Sequence, residues 1–195
     1  MKKVEGANAP FSIATDLEAL IVMEQSTKFT AGTAFPAFAW PLTGGGKLEV
    51  AGMPGWRVLV VYRGKHCPRC KTYLGTLDGL LDDFKAAGIA VAAVSADPAK
   101  KAQASVAENK WRFPVAYDLA IAQMKALGLY ISDPRSPQET DRPFAEPGLF
   151  VINPDNNAQV VDISNAAYAR PDLAALLGGI KYAIDNKLPV RGTHA

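Results

Sequence analysis

The run Val58-Leu59-Val60-Val61-Tyr62 leads within five residues into Cys67-Pro68-Arg69-Cys70, and a leucine-rich helical pattern begins at once. An unbroken stretch of β-branched and aromatic residues suits a central strand buried on both faces. Pro68 suits the first position of a helix, where its missing N–H costs nothing. Leu74, Leu77, Leu80, Leu81 and Phe84 then recur at intervals of three and four, the spacing of one helix face. The segment therefore predicts a strand, a tight turn and a helix, with both cysteines of the chain at the helix N-terminus. Two thiols at that spacing can close a small disulfide ring and reopen it.

Other segments place this unit within a larger sheet. Thr15-Asp16-Leu17-Glu18 reads as a capping box, opening an amphipathic helix over about 14–27. Gly32 to Leu42 is strand-like but broken by Pro36 and Pro41, and Lys47 to Val50 is its hairpin partner across Gly44-Gly45-Gly46. The cysteine helix is predicted to end near Ala87, with Gly88 beyond it. Ile89 to Ser95 is a second buried strand, and Asp97-Pro98 opens a helix to about Asn109. A short strand over 113–117 and a short helix over 119–127 follow. Residues 131–146 are rich in Pro, Ser and charge and read as a long loop. Leu149 to Ile152 and Gln159 to Ile163 form a closing hairpin, and a last helix runs from Pro171 to about Asn186. Alternating strands and helices predict parallel pairing, and the final hairpin makes the sheet mixed. The reading is α/β, a central mixed sheet flanked by helices, with an N-terminal hairpin and an extra N-terminal helix. Its expected parts are an arm over 1–30, a main domain over 31–188 and a tail over 189–195.

A helix N-terminus carries unpaired N–H groups and roughly half a positive charge, which favours a thiolate over its thiol. Cys67, at the cap, is expected to be the attacking nucleophile, and Cys70, one turn in, the resolving thiol. Arg63, Lys65 and Arg69 flank the pair, and nearby cations lower a thiol pKa. His66 is either a titrating partner or a loop residue covering the sulfurs. Pro147, just before a buried strand, is an ordinary trans proline on the residues alone. A cis bond there would let the adjacent backbone pair with an extended substrate.

Other chemistries fit less well. Zinc wants about four ligands, and the chain offers two cysteines and the distant His66 and His194. Haem attachment wants histidine after the second cysteine, where Lys71 stands. The reading needs no metal or organic cofactor. With 21 Lys and Arg against 19 Asp and Glu, the charge is near neutral, and no basic run suggests nucleic acid. No segment approaches a membrane span, and Met1 to Pro10 lacks the apolar core of a secretory signal, so a cytoplasmic location is expected.

The segment Val60-Val61-Tyr62-Arg63-Gly64-Lys65-His66-Cys67-Pro68-Arg69-Cys70 resembles the peroxiredoxin-like branch of the alkyl hydroperoxide reductase / thiol-specific antioxidant (redoxin) family, within the thioredoxin-like superfamily. Ala34-Phe35-Pro36-Ala37-Phe38 is similar to that family's N-terminal hairpin. Phe113-Pro114-Val115 with Asp118 is similar to its Phe-Pro segment, and Gly148 to Pro154 to its late strand and turn. The resemblance implies a thioredoxin-like fold over about residues 30–187, with Pro147 in the place of a cis-proline facing the cysteines. Three departures accompany it. Gly64 stands where peroxiredoxins carry Thr, Pro147 where they carry Arg ahead of the late strand, and His66 where relatives commonly have Trp.

The first functional expectation is a thiol–disulfide oxidoreductase using Cys67 and Cys70. Pro147 would shape its groove, and Arg63, His66 and Arg69 would support the site. Electrons would come from a thiol donor of thioredoxin or glutathione type. The second is a thiol peroxidase acting on hydrogen peroxide or alkyl hydroperoxides, with Cys67 peroxidatic and Cys70 resolving. The third is a redox-sensing module that binds a partner. The N-terminal helix and the 131–146 loop are its candidate contact surfaces, and a homodimer is possible.

Overall fold

A computed structural model describes residues 29–194 of the chain; the predicted N-terminal helix and its capping box lie outside them. The first hairpin is short, pairing Trp40–Pro41 (β1) with Lys47–Leu48 (β2). The broken strand predicted over 32–42 reduces to β1 and two isolated bridges, from Ala34 to Asn157 and from Leu42 to Ala116. Proline donates no ladder hydrogen bond, so Pro36 and Pro41 hold the pairing to this length.

Trp56–Val61 (β3) is the central strand. Pro68–Gly79 (α1), Leu81–Ala86 (α2), Ile89–Val94 (β4), Ala99–Asn109 (α3), Val115–Ala116 (β5) and Ile121–Ala126 (α4) follow. Ile131–Ser132 (β6), Phe144–Ala145 (β7), Gly148–Ile152 (β8), Ala158–Ile163 (β9) and Leu173–Asp185 (α5) complete the order. The main sheet runs β5-β4-β3-β8-β9. β3 pairs parallel with β4 and antiparallel with β8, so the sheet is mixed where the closing hairpin joins it.

Alternation along β3 divides the core. Leu59 and Val61 face a layer with Trp40, Met124, Leu127, Phe144 and Phe150. Val58, Val60 and Tyr62 face the layer holding Leu74, Leu77, Phe84, Leu173, Ile180 and both cysteines. None of the residues Val58 to Tyr62 is more than 1% exposed, as the continuous apolar run requires.

Two further elements differ from the sequence reading. The cysteine helix is broken at Leu80, whose N–H is shared between the Thr76 and Leu77 carbonyls. Arg112 Nη2 donates to the Asp78 carbonyl at 2.6 Å, drawing on an acceptor that a continuous helix spends on its own next turn. The stretch 131–146 is also more ordered than a plain loop. Its ends pair as β6 and β7, Ile131 with Ala145 and Ser132 with Phe144. Ser132 Oγ donates to Glu146 Oε1 at 2.7 Å and ties the base of this excursion.

Candidate active site

Strand β3 and helix α1 bring the thiols together. Cys67 is the N-cap of α1, with extended backbone, and its sulfur accepts from the Cys70 N–H at 3.3 Å. Both thiols are free, and each cysteine is 1% exposed. Cys70, one turn into the helix, is therefore no less accessible than Cys67 at its cap. The apolar layer around α1 covers both.

Their acidities diverge nonetheless. The Cys67 thiol is brought down to about 6, first by the Cys70 thiol donating to its sulfur. Burial opposes this, while the Cys70 N–H and the Arg63 guanidinium add to it. Burial pushes the Cys70 thiol up, and its bond to Cys67 adds to the rise. The pair thus holds Cys67 as the more acidic thiol and Cys70 as its protonated neighbour.

Arg63 is fixed from several sides. Its Nε lies 3.2 Å from Glu146 Oε2 and its Nη2 3.5 Å from Glu139 Oε1, and its guanidinium lies over the Phe144 ring. Glu139, itself clasped by Arg135, reaches in from the β6–β7 excursion. The excursion and α1 border a cleft of about 690 Å³, lined by Arg63, Lys65, His66, Pro68, Lys71 and Lys101 among others. The cleft reaches the residues on either side of Cys67 and is rich in positive charge.

Gly64 has a physical cause. Its φ is +125°, and a Cβ there would lie 2.7 Å from Asp97 Oδ1. The buried Asp97 carboxylate accepts from the Lys65 N–H at 2.7 Å and shapes the turn into Cys67. Any larger residue meets both the forbidden backbone angle and the carboxylate.

The remaining predicted residues behave differently. His66 packs on Phe144 at 4.7 Å, and both its ring nitrogens are buried without hydrogen-bond partners among the described residues. Burial, then Arg63, hold its pKa down to about 4, which favours the neutral ring. Arg69 is exposed and lies over Tyr168, turned to the far side of α1. It is absent from the groups that set either thiol. The bond before Pro147 is trans, which corrects the cis geometry that the resemblance implied. The backbone there is also committed: the Glu146 N–H donates to Tyr130, and the Pro147 carbonyl accepts from Ser164.

Sequence reasoning missed Arg170. Its Nη2 donates to Cys70 Sγ at 2.9 Å, and its guanidinium lies over Tyr73. It sits in the β9–α5 loop, 100 residues from Cys70, and no local pattern marks it. Among the described residues no group of three or more His, Cys, Asp or Glu could hold a metal ion, and His194 lines a different cavity from His66.

A mixed sheet with a dithiol at the N-terminus of the helix after its central strand defines a thioredoxin-fold redox protein. The AhpC/TSA family model matches residues 31–161, and the chain belongs to that family. No curated protein is significantly similar in sequence. Solved structures give the fold. A cysteine-to-serine mutant of peroxiredoxin 6 of Arenicola marina is 23% identical, with TM-score 0.66 over 80% of this chain and 73% of that one. The peroxidoxin BcpB of Mycobacterium tuberculosis is 18% identical, with TM-score 0.66 over 80% and 98%. The bacterioferritin comigratory protein of Xanthomonas campestris is 20% identical, with TM-score 0.61 over 81% and 99%. No helix of the described residues is long and apolar enough to cross a membrane.

Proposed function

We propose that the chain is a dithiol peroxidase in which Cys67 attacks a hydroperoxide and Cys70 resolves the product. The observation that carries this reading is Cys67 itself. Its sulfur is acidified at a helix cap beside Arg63, yet the residue is only 1% exposed next to a cationic cleft. A peroxide is small enough to reach such a sulfur, whereas a protein disulfide must first displace the residues covering it. The Cys67 thiolate attacks the outer peroxide oxygen, the O–O bond breaks and the alcohol or water leaves after taking a proton. Cys70 then condenses with the resulting sulfenic acid, forming the disulfide and water. A thiol donor of thioredoxin or glutathione type returns both electrons. The family membership supports this order of readings, and the Xanthomonas relative is described with alkyl peroxide reduction activity. Arg63 stands beside the sulfur although Gly64 and Pro147 replace the usual Thr and Arg.

Stopped-flow mixing of reduced protein with hydrogen peroxide or cumene hydroperoxide tests it. Thiol loss at least about a thousandfold faster than for free cysteine is expected, a gain of about 4 kcal/mol in transition-state stabilisation. A rate equal to free cysteine overturns it. The second reading, thiol–disulfide exchange, draws on the two sulfurs sharing one helical turn. Rapid insulin reduction with no peroxide consumption would establish it in place of the first.

A further inference from the structure

The cation that bears on Cys70 is a different one from the cation that bears on Cys67. Arg63 serves Cys67 from the end of β3, while Arg170 reaches Cys70 from the β9–α5 loop. The Cys70 sulfur is the one hydrogen-bond acceptor of the Arg170 guanidinium among the described residues; its Nε and Nη1 are buried without partners. Tyr73 lies under the guanidinium at 4.9 Å, and its hydroxyl donates to the carbonyl of Pro171, the next residue along. The loop is thus pinned with a positive charge against a buried sulfur. A protonated thiol gains little from such a neighbour, and a thiolate gains much.

We propose that Arg170 is a catalytic residue that carries the negative charge on Cys70 whenever the Cys67–Cys70 disulfide closes or opens. This rests on the dithiol reading above, and it extends that reading to the resolving step. In closing, Cys70 gives up its proton, its thiolate attacks the Cys67 sulfenic sulfur, the S–O bond breaks, and the departing hydroxide takes up a proton and leaves as water. In opening, a donor thiolate attacks Cys67 sulfur, the S–S bond breaks and Cys70 departs as a thiolate. A second donor thiolate then attacks the mixed disulfide, releasing the oxidised donor and the Cys67 thiolate. Both directions pass through charge on Cys70, at a sulfur where burial otherwise opposes it. The titratable and charged groups facing Cys70 are Cys67, Tyr62 and Arg170. Behind Arg170, Asp162 and Asp172 act on Tyr73.

The test uses neutral dithiodipyridine, so that peroxide chemistry is not required. A first phase releases one thiopyridone as Cys67 attacks the reagent; a second releases another as Cys70 displaces it from Cys67. In Arg170→Gln the second phase is expected to slow by about tenfold or more, and its pH profile to move upward. Arg170→Lys restores most of the rate, because a cation remains. Reduction of the preformed disulfide by dithiothreitol slows in the same order across the variants. A second phase within about twofold of the parent in Arg170→Gln, with an unmoved pH profile, overturns the proposal. Equal loss in the Gln and Lys variants, in proteins with the parent's thermal midpoint, assigns Arg170 a packing role and also overturns it. A first phase no faster than free cysteine is a different outcome: it removes the reading of Cys67 as nucleophile and leaves the second phase to judge Arg170.

Discussion

The acidity of Cys67 comes first from the Cys70 thiol, and the Cys70 N–H and Arg63 add to it against burial. Removing that thiol is therefore the larger perturbation. In Cys70→Ala the midpoint of Cys67 alkylation moves up from about 6. The thiolate is the reacting species, so the variant alkylates several-fold slower near neutral pH and converges on the parent in alkali. Iodoacetamide rates across pH measure this. In His66→Phe the midpoint stays in place, because the ring is already neutral over that range. At this scale the sequence exposed the thiol pair, the cap and the cation at 63. Arg170 was invisible because its contact is made through space from another loop. The weak role of Arg69 was equally hidden, since neighbours in sequence on a helix point away from each other.

The same division appears among the elements. Strand β3, the start of α1, β4, β8, β9 and α5 follow from apolar runs, helical spacing and Pro or Gly punctuation. The break at Leu80 and the β6–β7 pairing do not, because each depends on a partner remote in sequence. Arg112 draws on a helix carbonyl in the first, and Ser132 meets Glu146 in the second. Buried Arg57, near the start of β3, is another such case. It donates to the Met53 and Gly55 carbonyls and to Asn156 Oδ1, tying the entry of β3 to the β8–β9 turn. Asn156 in turn donates to the Phe35 carbonyl. Arg57→Met leaves those acceptors without a donor and should lower stability by about 2–3 kcal/mol. Urea unfolding, with an unchanged m-value, is the measurement.

For the molecule as a whole, a depressed thiol pKa is also a stability statement. The Cys67 value lies at about 6 in the fold against an ordinary 9.0. The folded state therefore releases this proton more readily, and the stabilisation is complete above about pH 9. It disappears as pH falls through about 6. The reduced protein should gain stability relative to Cys67→Ser as pH rises across that window. Paired urea titrations at several pH values read the difference, in which the carboxylates common to both proteins cancel. The overall architecture was legible because patterning and connectivity restrict it tightly. The state of the sulfurs was not, since it depends on what surrounds them. A last consequence attaches to Gly64 and its tight contact with Asp97. A threonine hydroxyl at that position and this carboxylate exclude each other in space. A side chain enters there only if Asp97 and the turn through Lys65 give way with the glycine, so Gly64→Thr alone should loosen the very turn that delivers Cys67 to its helix.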